Sequence, residues 1–170
     1  MRNNIFKIFV IIFIKILFVN YSIADEQFKF DVTEIEIIQN GNLIIGSKGG
    51  KAETVDGYQI NAENFVYNKR KNILNVSGNV ELKSKNDPLI ITSDKATYLR
   101  NDEIVFTEGN SKAIDANNTI VGANFKFDKL KNILNAEKNV KFTDEKKKTE
   151  IYTDKATYLR NDEIVFTEGN

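Results

Sequence analysis

An internal repeat constrains this chain more than any other feature. Residues 94–110 read DKATYLRNDEIVFTEGN, and the same seventeen residues return at 154–170, an offset of 60. At that offset Asn64-Phe65-Val66-Tyr67 aligns with Asn124-Phe125-Lys126-Phe127, and Lys71-Asn72-Ile73-Leu74-Asn75 returns at 131–135. A half-period lies inside it: Ile60, Ile91, Ile120 and Ile151 open equivalent segments spaced 31, 29 and 31 residues apart. A unit of about 30 residues cannot bury an apolar face alone, so its core must come from its neighbours.

Every unit has the same grammar. A small residue stands two positions after the isoleucine (Ala62, Ser93, Gly122, Thr153), and an acid follows in three of the four (Glu63, Asp94, Asp154; the third has Ala123). Apolar residues then alternate as Phe65/Tyr67, Ala96/Tyr98, Phe125/Phe127 and Ala156/Tyr158. After a polar tip, such as 68–72 or 99–103, a second apolar stretch runs through Ile73, Val76 and Val80, or through Ile104 and Phe106. It crosses Gly78-Asn79 in one unit, Gly109-Asn110 in another and Lys138-Asn139 in a third.

A period of two with β-branched and aromatic residues predicts strands. The inward parity shifts by one between Ala62 and Phe65, as a β-bulge or bend requires. Gly78 and Gly109 suit such a bend, where a missing Cβ lets the strand turn. Residues 30–37 read as an earlier, degraded unit whose partner strand, 42–45, runs into Gly49-Gly50. No helix is expected after residue 24. The expected fold is all-β, built from consecutive antiparallel hairpins of about 30 residues. A stacked β-solenoid with a structural or adhesive role is the competing reading. The 31/29/31 alternation and the polar tips favour hairpins.

Composition narrows the chemistry. The 170 residues include no histidine, cysteine or tryptophan. That removes thiolate nucleophiles, Ser-His-Asp triads, disulfides and ordinary zinc sites. Basic and acidic residues balance at 24 each and are scattered, which argues against a nucleic-acid surface. The balance hides two segments. Residues 1–24 carry Arg2, Lys7 and Lys15, no acid, two apolar runs and a Ser22-Ile23-Ala24 ending, the layout of a cleaved secretory signal peptide. Lys15 interrupts the apolar run, which is short for a membrane span; an uncleaved N-terminal anchor is the alternative. Residues 25–170 then form one mildly acidic exported domain. The unmutated duplication and a stop where other units continue lead us to expect a C-terminus that is incomplete.

The repeated residues resemble the OstA-like family, which takes in the periplasmic lipopolysaccharide-bridge protein LptA and the N-terminal periplasmic domain of the outer-membrane protein LptD. The pattern is an alternating A-[DE]-x-[FVA]-x-Y strand, a polar turn, an apolar strand and then G-N-V. Here it stands as 62–67 with Ser77-Gly78-Asn79-Val80, as 93–98 with Glu108-Gly109-Asn110, and in part as 122–127 with 138–140. Ala123 and Lys138 depart from it and put the local turn geometry of that unit in question. The resemblance implies an open, twisted β-jellyroll whose apolar interior holds the acyl chains of lipopolysaccharide. It also implies edge-strand addition to related β-jellyroll domains or to further copies of the chain, a periplasmic location, and an outer-membrane attachment if a barrel follows. No enzyme activity, cofactor, metal or nucleic-acid partner is expected.

The lipid-groove candidates are Ile60, Phe65, Tyr67, Ile73, Val76, Val80, Ile91, Tyr98, Ile104, Phe106, Phe125, Phe127 and Ile133. Each is a core position in the plainer reading. Glu63, Asp94 and Asp154 recur once per unit, which marks them as structural, bonding to nearby backbone at the bend, rather than as a hydrolytic pair. Lys146-Lys147-Lys148 reads as a solvated hairpin tip offset by Asp144-Glu145.

Overall fold

The structure, a computed structural model, describes residues 27–169, so the signal-peptide segment lies outside the described residues. Eleven strands follow one another: β1 (Phe28–Ile38), β2 (Leu43–Thr54), β3 (Tyr58–Ala62), β4 (Asn64–Asn68), β5 (Ile73–Ser84), β6 (Asp87–Leu99), β7 (Ile104–Asp115), β8 (Asn118–Asp128), β9 (Ile133–Asp144), β10 (Thr149–Leu159) and β11 (Ile164–Glu168). They form one sheet in chain order. All pairings are antiparallel, and β3 and β4 are two halves of one strand broken at Glu63, since both lie between β2 and β5. This is the consecutive-hairpin meander expected from the repeat. Stacked coils are not its architecture.

Apart from the five-residue β11 and the divided β3/β4, the strands are 11 to 13 residues long, and each is interrupted near its middle. Between β5 and β6 the register passes from Ser77↔Lys95 to Val80↔Ser93, so Gly78 and Asn79 face Asp94 alone. The same slip falls between Glu108 and Ser111 and between Val121 and Asn124. One extra residue, on β5, β7 and β9 respectively, bends the sheet there. The bend needs left-handed backbone: Gly78 and Asn79 have φ of +82° and +48°, Gly109 and Asn110 +80° and +47°. The third unit keeps the bend without glycine, with Lys138 at +66° and Asn139 at +54°. Its turn geometry therefore survives the departure from the motif, at the steric cost that an L-residue meets in that region.

Bent at every bulge, the sheet folds on itself. The hairpin tips between β6 and β7, β8 and β9, and β10 and β11 come down on the turns between β2 and β3, β5 and β6, and β7 and β8. Lys129 reaches Asp56 across 73 residues of chain, and Arg160 reaches Asp87 across the same span. Between the two halves lies one apolar core that runs from Phe28 to Tyr158. The result is a twisted roll, closed along one long side by side chains, with β1 and β11 as its end strands among the described residues.

The structure changes the facing of four candidates. Ile73, Ile104, Phe106 and Ile133 point to the outer face, and Phe106 is 39 % exposed. Their neighbours Leu74, Val105, Thr107 and Leu134 fill the interior. The cause is phase: the second strand of a unit begins inward one position after its tip isoleucine, and the bulge does not change its parity.

Candidate functional site

The interior is the first element of the site. Ile60, Phe65, Tyr67, Val76, Val80, Ile91, Tyr98, Phe125 and Phe127 are all buried in it, together with Leu74, Val105, Leu134 and Phe142, which the sequence reading missed. Alternation places these residues: β3/β4 and β8 turn even positions inward up to the bulge and odd positions after it, β6 does the reverse, and β5 keeps its even positions inward throughout. Rings from different strands interlock. Phe28 meets Tyr67 edge-on at 4.9 Å between centroids and Tyr98 at 5.7 Å, and Phe30 meets Phe65 at 6.2 Å.

At the N-terminal end this interior opens. Ile35 and Ile37 stand opposite Gly46 and Ile44, on the inward face of β1, yet they are 53 % and 58 % exposed because no strand lies beyond them among the described residues. With Phe28, Phe30, Ile44 and Tyr67 they line a concavity of about 520 Å³ rimmed by Lys29 and Lys69. The alternation Ile35-Glu36-Ile37 was the available sequence signal for this mouth.

The long side is closed by charge. Lys129, with a side chain 4 % exposed, donates to Asp56 Oδ2 at 3.0 Å and also bonds the Tyr98 hydroxyl and Glu103. Its ammonium lies 3.9 Å from the Tyr58 ring centroid. Arg100 pairs with Glu103 and, at 3.5 Å, with Asp56, while its Nε is buried without a hydrogen-bond partner. Further along, Arg160 forks onto Asp87 at 2.6 and 2.9 Å and onto Asp115 at 2.9 and 3.1 Å, above the Phe127 ring.

These contacts shift proton affinities in readable directions. Burial pulls the Lys129 pKa down, opposed by Asp56. Burial alone would raise Asp87, but the bonds from Arg160 and from the Leu89 N–H outweigh it and hold the carboxyl low. Asp56 is lowered in the same way, its burial outweighed by Thr54 and Lys129. Burial, with the Asp115 charge beside it, pushes the Tyr158 phenol up to about 12.

The recurring acids are structural, but their bond differs from the expected one. Glu63 accepts from the Asn79 side chain at 2.7 Å, and Asp94 from the Asn110 side chain at 2.9 Å. Each acid lies over the bulge glycine opposite, so a Cβ on Gly78 would stand 2.5 Å from Glu63 Oε2, and one on Gly109 2.4 Å from Asp94 Oδ2. Lys146, Lys147 and Lys148 lie exposed in the β9–β10 turn, with Lys147 paired to Asp144 at 3.3 Å.

A folded-over antiparallel sheet with an apolar interior, open at its end strands, defines a β-jellyroll of the kind found in lipopolysaccharide transport. Residues 20–145 match the model of the family described as lipopolysaccharide-assembly, LptC-related, and the chain belongs to that family. Among solved structures it is similar to the crystal structure of LptH, the LptA-homologous periplasmic component of the lipopolysaccharide transport device of Pseudomonas aeruginosa. The likeness has a TM-score of 0.60 at 15 % identity and covers 65 % of this chain and 82 % of that one. At that identity it speaks for the fold. No curated protein matches significantly.

Proposed function

We propose that the protein is a non-catalytic periplasmic module that binds lipopolysaccharide by its acyl chains and passes it along a series of like domains. The observation that carries this reading is the apolar interior, continuous along the roll and opening at the Ile35/Ile37 mouth, in a member of a lipopolysaccharide-assembly family. An acyl chain moving between apolar surfaces changes its hydration little, so no chemical step is needed. Residues 1–24 supply the export signal. Among the described residues the outer edges of β1 and β11 carry no partner strand, which supports linking end to end, because a free strand edge presents backbone groups that another strand can satisfy.

Gel filtration of residues 25–170 with lipopolysaccharide tests both parts. Acylated lipopolysaccharide should co-elute and its de-acylated form should not; equal behaviour contradicts groove binding. Light scattering on the same eluate should give multiples of the monomer mass, and a monomer at every concentration contradicts linking.

A further inference from the structure

Lipid has to reach the interior, and that interior is packed: Phe65, Leu74 and Leu134 have no exposed surface at all. The mouth at Ile35 and Ile37 opens at the end of the roll, so entry along its length requires a boundary to part. Separating two neighbouring strands breaks a backbone ladder, as between β5 and β6, where pairing runs from Ile73↔Leu99 to Ser84↔Asp87. The seam between tips and turns has no strand pairing among the described residues. Arg100, Lys129 and Arg160 bridge it. We propose that this seam is the lateral route by which an acyl chain enters and leaves the roll, and that these three cations with Asp56, Asp87 and Asp115 form the latch that closes it.

The chemistry of the bridges suits a closure that must release. Pairs of buried cations with part-exposed carboxylates fix geometry but add little net stability, because desolvation of the cation offsets the attraction. An apolar weld would favour the closed form more strongly and expose fresh hydrocarbon on opening. The orphaned Arg100 Nε shows that the closed cluster is incompletely satisfied. The latch also touches the apolar face directly. Lys129 lies over the rings of Tyr58 and Tyr98, and Arg160 over that of Phe127, so an acyl chain displacing those rings moves the cations above them.

The inference rests on the lipid-binding reading, and one experiment separates the two. The chain has no cysteine, so Lys129→Cys with Asp56→Cys gives a unique pair for a short, cleavable bismaleimide. Arg160→Cys with Asp87→Cys gives a second lock at the other cluster, should the first variant fail to fold. Uptake of lipopolysaccharide bearing an environment-sensitive fluorophore on one acyl chain is the readout. The open variants should take up probe at least as fast as the wild type, the locked forms about tenfold or more slowly, and cleavage should restore the rate. Equal rates for locked and open protein would overturn the latch while leaving lipid binding intact. No uptake by the wild type would overturn the lipid-binding reading itself.

Discussion

An acid fifteen residues ahead of a glycine recurs as Glu63 and Gly78, Asp94 and Gly109, and Asp154 and Gly169. The remaining unit has Ala123 and Lys138, so both members change together. The physical reason is contact, since the carboxylate occupies the space where a Cβ would stand. Lysine fits in the third unit because alanine has vacated that space. Gly78→Lys should therefore destabilise the domain by about 1–2 kcal/mol from backbone strain alone, with a further steric cost against Glu63. Adding Glu63→Ala recreates the third unit and should recover the steric part. Urea denaturation of the two single variants and the double measures this coupling; strictly additive effects would contradict it. The motif itself was legible in the sequence, whereas the partner of the acid was not. Its bond to Asn79 or Asn110 depends on which residues the bulge leaves facing each other across the ladder.

At the scale of elements, strand order and bulges could be read from period and parity. The second strand of each unit reads out of phase at Ile73, Ile104, Phe106 and Ile133, because the tip isoleucine looks like a first inward residue and is an outer one. The seam was invisible in sequence, since its partners lie up to 73 residues apart and belong to different units. Its pH response follows from Asp56 and Asp87. Both carboxyls titrate below their ordinary range in the fold, so their contribution is present above pH about 4 and is lost as pH falls through the depressed values. Protection from amide hydrogen exchange, corrected for the intrinsic rate at each pH, should fall below that pH more at the tips carrying Lys129 and Arg160 than in the β5–β6 ladder. A uniform response across the molecule would contradict a seam that opens on its own.

At the scale of the molecule, the described residues form one sheet whose two halves face each other over a shared apolar interior, with an open mouth at Ile35 and Ile37. What matters at this scale is the sidedness of the strands, and neighbouring phenylalanines report it. Phe65 and Phe127 point inward, and Phe106 points outward from the same sheet. A photo-crosslinking amino acid at each of these three positions, irradiated in cells that make lipopolysaccharide, tests the conduit most directly. Capture of lipopolysaccharide at positions 65 and 127 but not at 106 is the predicted result, and equal capture at all three would contradict it.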